Sequence, residues 1–189
     1  MTDLAAALPN ELALVAQACA DTSAFAAIYD HYFSRVYNYI RYRIQDAETT
    51  DDLTAQVFER ALRHIGGYRQ DKAPFSAWLF AIARNAVNDH FRAQQRRRWF
   101  SLDTVHDWIS PDPQPGEVVA DNELQDQLLV ALARLSSREQ DLMGLKFGGG
   151  LTNRRIAELT GLSENNVGII LYRAVRRLRA ELAAQGVER

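Results

Sequence analysis

The chain is predicted to be all-α, folded as two small helical domains joined by an extended acidic linker. Three observations carry this. Apolar residues recur at i, i+3, i+4 and i+7 through most of the 189 residues, without the sustained alternation that a strand requires. Three of the five prolines, Pro111, Pro113 and Pro115, fall within 101–116, where the missing N–H groups and fixed φ exclude a helix and favour extended chain. Charge is segregated into blocks. Arg84, Arg92, Arg96, Arg97 and Arg98 face only Asp89, and four arginines follow between Arg173 and Arg179. Between these blocks, Trp99 to Ala133 holds seven acids and no lysine or arginine.

In the first domain, residues 23–98, Phe25, Ile28, Tyr29, Tyr32, Phe33, Val36, Tyr37, Ile40 and Ile44 form one apolar helix stripe. A second stripe runs Leu53, Val57, Phe58, Ala61, Leu62 and Ile65 and stops at Gly66-Gly67; its polar flank carries Asp52, Gln56, Glu59 and Arg63. A third starts after Pro74 with Phe75, Trp78, Leu79, Ile82, Ala83, Ala86 and Val87, then passes into the first arginine block. Trp78 lies on that stripe and reads as core. Residues 1–22 form an N-terminal extension with a short amphipathic pattern at Leu4, Leu8, Leu12 and Val15.

Beyond the linker, 99–121, the second domain spans 122–184 and a short tail spans 185–189. Leu124, Leu128, Leu129, Leu132 and Leu135 make an amphipathic helix, and Ser136-Ser137-Arg138-Glu139 is a capping box that opens the next. That helix ends at Gly148-Gly149-Gly150, read as a flexible connection. Thr152 caps a short helix that stops at Thr160-Gly161, and Ser163 caps a long last one. Ala157, Gly161 and Val167 are spaced as a helix-turn-helix requires. A small residue sits where the helices cross, a glycine in the turn, and an apolar plug under the second helix. The recognition helix then offers Glu164, Asn165, Asn166, Gly168 and Ile169 early, and Arg173, Arg176, Arg177 and Arg179 later for phosphates.

Composition excludes several classes. Apolar and charged shares of 47% and 24% are those of an ordinary globular protein. Cys19 is the sole cysteine, so there is no disulfide framework or thiolate metal cluster, as expected for a reducing cytoplasm. The N-terminus lacks a basic export region, and no apolar run reaches the roughly 18 residues of a membrane span. His31, His64, His90 and His106 are scattered, and no phosphate-cradling glycine loop or metal spacing occurs, so neither enzyme activity nor a cofactor is expected.

Both modules together resemble the extracytoplasmic-function (ECF) group of the sigma-70 family over about 23–184. The likeness to sigma region 2 rests on Asp52-Leu53-Thr54-Ala55-Gln56-Val57-Phe58 and on the run from Phe75-Ser76-Ala77-Trp78 through Ala83-Arg84-Asn85. The likeness to region 4 rests on Leu135-Ser136-Ser137-Arg138-Glu139 and on Ile156-Ala157-Glu158-Leu159-Thr160-Gly161-Leu162-Ser163.

The resemblance implies a promoter-specificity subunit with several partners: the clamp and flap of core RNA polymerase, promoter DNA and an anti-sigma protein. Asp52, Gln56, Phe58 and Glu59 would dock on polymerase. Lys72, Arg84, Asn85, Asn88, Asp89, Arg92 and Arg96 would bind the -10 element and hold it open. Thr152, Arg155, Ser163, Glu164, Asn165, Asn166, Arg173, Arg176 and Arg177 would bind the -35 element. The acidic linker would thread basic polymerase channels or serve as a solvated spacer. Many relatives carry lysine or arginine where Gly168-Ile169-Ile170 stands here, which shifts base readout toward Asn165 and Asn166. The competing reading is an autonomous helix-turn-helix regulator with a ligand-sensing N-terminal module, binding DNA without polymerase.

Overall fold

The computed structural model describes residues 8, 10–102 and 122–185, in eight α-helices with no strand among the described residues. The first domain contains α1 (Glu11–Ala20), α2 (Phe25–Arg43), α3 (Ala47–His64) and α4 (Phe75–Leu102). Most of each expected stripe is buried, with Phe25, Ile28, Tyr32, Val36 and Ile40 of α2 meeting Leu53, Val57, Phe58 and Ala61 of α3 and Phe75, Leu79, Ala83 and Val87 of α4, whereas Tyr29 and Leu62, at the stripe edges, are exposed. Asp46 caps α3 by accepting from the Thr49 N–H at 2.6 Å.

The N-terminal extension, to which the sequence assigned no role, supplies α1 as a fourth helix of this domain. Val15 and Ala18 are buried, the Tyr32 hydroxyl donates to Glu11, and the Cys19 thiol donates to the Ile65 carbonyl at 3.3 Å. At the other end, α4 continues through Ser101 and Leu102, residues expected to be extended. Helix propagation adds a hydrogen bond per residue, and no proline interrupts before Pro111. The rest of the linker, 103–121, lies outside the described residues.

The second domain comprises α5 (Asn122–Ala133), α6 (Ser137–Met143), a π turn (Gly144–Gly148), α7 (Asn153–Thr160) and α8 (Glu164–Ala184). Ser136 and Glu139 form the reciprocal capping box at the start of α6. Gly161 adopts φ 74°, a left-handed turn suited to glycine, and its N–H donates to the Ala157 carbonyl at 2.9 Å. Val167, on the inward face of α8, is fully buried.

The two domains are in contact, and the glycine triplet, expected to be flexible, lies at the seam. A Cβ on Gly148 would meet the Tyr39 backbone nitrogen at 2.7 Å, and one on Gly149 would meet the Phe80 ring at 2.7 Å. Gly148 thus allows a close approach to the α2 backbone, and Gly149 a close approach to the Phe80 ring. Only Gly150, with φ 68°, uses glycine's conformational freedom.

Candidate nucleic-acid interface

Asp52, Gln56 and Glu59 follow one another at i, i+4 and i+7 on the exposed side of α3. Glu59 pairs with Arg63 at 2.5 Å. Phe58, expected on the docking face, is instead 4% exposed. Its ring lies 4.7 Å from Tyr29 and 6.4 Å from both Phe25 and Phe33. It supports the face from below because its position on α3 belongs to the apolar stripe. Beside it, Tyr29 stays exposed and Phe33 and Tyr37 half-buried.

Lys72 is exposed in the loop before α4 and lines an open groove with Glu11, Pro74 and Arg155, so one candidate from each DNA-binding set borders the same space. Trp78 is half-buried between Tyr68 and Phe75, at 5.6 and 5.3 Å between rings, as expected of a core residue. Along α4, Asn85, Asp89, Arg92 and Arg96 are exposed and Asn88 is half-buried. Arg92 pairs with Asp89 at 3.2 Å.

Arg84 faces the second domain, where its Nε donates to Asp141 Oδ2 at 2.8 Å. The Tyr39 hydroxyl donates to the other Asp141 oxygen at 2.9 Å. Burial and the adjacent Asp141 carboxylate both hold the Tyr39 hydroxyl well above its usual pKa. Arg43 donates to the Ser137 carbonyl at 2.6 Å, and Arg35 makes a forked pair of bonds to the Gly149 carbonyl at 2.9 and 2.8 Å. The sequence reading missed this seam. Its signal was present, since Arg35, Tyr39 and Arg43 recur at i, i+4 and i+8 on a second face of α2.

In the helix-turn-helix, the Thr152 and Ser163 hydroxyls accept from the Arg155 and Asn166 N–H groups at 3.3 Å each, so both residues act as caps. Arg155 pairs with Glu158 at 2.7 Å, and Arg177 is bound to Glu139 at 2.9 Å. Glu164, Asn165, Asn166, Arg173 and Arg176 are exposed, and neither Arg173 nor Arg176 forms an ion pair among the described residues. Helix α8 therefore presents amides near its N-terminus and free guanidinium groups beyond, the order in which a recognition helix meets base edges and phosphates.

A helix-turn-helix coupled to a second helical domain with its own basic edge defines a class of DNA-binding transcription protein. Sigma-70 region 2 matches residues 28–97, and sigma-70 region 4 matches residues 125–178. The chain belongs to the ECF group of the sigma-70 family, the alternative sigma factors of RNA polymerase. It is 36% identical over 158 residues to the ECF RNA polymerase sigma factor BldN of Streptomyces coelicolor, a match spanning 84% of this chain and 60% of BldN's length. It is 30% identical over 174 residues to SigL of Mycobacterium tuberculosis, spanning 91% of this chain and 96% of SigL.

The fold resembles that of CnrH, solved in complex with the cytosolic domain of CnrY, with TM-score 0.67 and 21% identity over 91% of this chain and 96% of that one. It also resembles Bartonella quintana RpoE, solved with the anti-sigma factor NepR, with TM-score 0.67 and 19% identity over 87% of this chain and 98% of that one. Among the described residues no helix is long and apolar enough to cross a membrane.

Proposed function

We propose that this chain binds core RNA polymerase and directs it to promoters through two DNA contacts made by separate domains. Residues 23–98 act on polymerase and the -10 element, residues 122–184 on the -35 element, and 99–121 tether them; 1–22 and 185–189 are the extension and tail. The observation that carries this is α8, a recognition helix on a well-formed helix-turn-helix whose exposed Arg173 and Arg176 form no ion pair among the described residues.

The polymerase clamp is met by Asp52, Gln56 and Glu59, with Phe58 shaping the surface beneath them, and the flap by the second domain. Lys72, Asn85, Asn88, Arg92 and Arg96 follow the -10 strand, since guanidinium groups track phosphates of single-stranded DNA. Asp89 orients Arg92, and Arg84 joins the set when it leaves Asp141. On the -35 side, Asn165 and Asn166 read bases and Arg173 and Arg176 hold phosphates. Thr152, Ser163 and Glu164 form the helix entrances near the backbone, with Arg155 beside them, and Arg177 steadies α8 through Glu139.

Two contacts that are weak singly become strong when polymerase joins them, because the second forms at high effective concentration. That suits a chain of net charge -2 with only local basic stripes. The protein works in the cytoplasm without catalysis or cofactor of its own. The solved complex of RpoE with the anti-sigma factor NepR supports an anti-sigma partner. The test is in vitro transcription from genomic fragments with core polymerase alone, the chain alone, and both. Start sites that need both are expected; specific DNA binding by the chain alone, with no polymerase dependence, would overturn the reading in favour of an autonomous regulator.

A further inference from the structure

The first two turns of α8 contain no cationic side chain. The outward face of the helix here instead holds two large apolar residues, Ile169 in the second turn and Tyr172 at the start of the third, 41% and 65% exposed. Scattered singly, such residues are common on protein surfaces. Here they are neighbours at i and i+3, in line with Asn165 before them and Arg176 after them, so that 165, 169, 172 and 176 form one stripe. The opposite side of the helix carries its buried residues, Val167, Leu171, Ala174 and Leu178. Ile169 is not among the side chains packed on the core, and a rotamer change would not bring it there.

The surroundings of the stripe identify its occupant. Asn165 and Asn166 lie at one end, Arg173 flanks it, and Arg176 stands with its guanidinium 6.0 Å from the Tyr172 ring. An apolar centre with a cationic rim complements the major groove, where bases lie between two lines of phosphates. Thymine is the one base that presents an apolar group there, its C5-methyl. An arginine at this position would select guanine; a branched alkyl side chain selects the methyl and leaves a polar base edge without a partner.

We propose that Ile169 is a specificity-determining residue that reads a thymine methyl group in the -35 element, with the Tyr172 ring closing the apolar surface beside it. This rests on the reading of α8 as the -35 recognition helix.

The test uses holoenzyme reconstituted from the full chain and core polymerase. A DNA pool randomised in the -35 region gives the preferred sequence, and each of its thymines is then replaced by deoxyuridine, which removes the methyl and keeps the hydrogen-bonding edge. At one position the unmodified holoenzyme is expected to lose about 4-fold in affinity, the worth of one buried methyl. Ile169→Ala holoenzyme is expected to bind both forms equally, and Ile169→Val to keep most of the difference. The proposal is overturned if no thymine is sensitive while a -35 preference is still selected, or if Ile169→Ala retains the full difference. A holoenzyme that selects no -35 sequence at all overturns both the proposal and the reading of α8 beneath it.

Discussion

Arg84 on α4 and Asp141 on α6 form a 2.8 Å hydrogen-bonded ion pair across the seam between the two domains, 57 residues apart in the chain. Asp141 is nearly buried and also accepts from Tyr39, so its carboxylate joins α2, α4 and α6. Replacing it with alanine strands the Tyr39 hydroxyl and leaves Arg84, and Arg43 with its Nε 4.0 Å away, without their carboxylate. Removing one partner of such a pair costs about 3 kcal/mol. Asp141→Ala is expected to lower the denaturant midpoint and raise the radius of gyration seen by small-angle scattering, with Asp141→Asn milder on both. An unchanged midpoint and radius in both variants would show that the pair does not hold the seam.

The glycines separate two kinds of requirement. At Gly148 an added Cβ strikes the α2 backbone, and Gly148→Ala is expected to cost about 1 to 3 kcal/mol through overpacking. Gly161→Ala should cost about 1 to 2 kcal/mol for a left-handed φ. Gly168 lies inside α8 with its nearest obstacle, Asn153 Nδ2, at 3.7 Å, so Gly168→Ala should gain about 0.5 to 1 kcal/mol from helix propensity. Thermal unfolding of the three variants gives the order directly; a stable Gly148→Ala would refute the close approach.

Elements whose information is local were legible in the sequence. The α2, α3 and α4 stripes, the Ser136–Glu139 capping box and the Ala157–Gly161–Val167 helix-turn-helix each follow from periodicity or from one residue's conformational needs. The seam was not legible, because Asp141 finds Tyr39 and Arg84 only after both domains have folded. The same holds for Gly148 and Gly149, since flexible and tightly seated glycines look alike in sequence. At the site, the exposed α3 carboxylates and the α8 amides were readable from helical phase. The engagement of Arg84 and Arg177 by acids distant in the chain was not.

Glu139 gives the second domain a defined acid sensitivity. Burial pushes its pKa up, but hydrogen bonds from the Ser136 hydroxyl and backbone N–H, with Arg177 nearby, more than offset this and hold it below the ordinary value of 4.5. The folded pKa lies below the unfolded one, so the stabilisation is present above about pH 4.5 and is lost as pH falls through the folded value. Urea unfolding between about pH 6 and pH 3 should show less pH dependence in Glu139→Gln than in the unmodified protein. Equal slopes would contradict the assignment.

Arg173 and Arg177 lie four residues apart on α8 and should differ in effect. Arg173 is exposed without an ion pair among the described residues, whereas Arg177 is held by Glu139. Arg173→Ala is expected to weaken holoenzyme binding similarly on all promoters and to reduce the slope of log affinity against log salt by about 1, with unchanged stability. Arg177→Ala should lower the unfolding midpoint. A salt slope unaffected by Arg173→Ala would remove it from the phosphate contacts.

The most direct measurement of polymerase docking is the affinity of core RNA polymerase for the full chain and for Asp52→Ala and Gln56→Ala, with promoter-dependent initiation read in the same samples. Both side chains are exposed on α3, so the variants should unfold at the unmodified midpoint. Tight binding and initiation by the unmodified chain, weakened about 10-fold or more in each variant, is the expected result, a loss of about 1.4 kcal/mol. Unmodified affinity and initiation in both variants would contradict docking through this face.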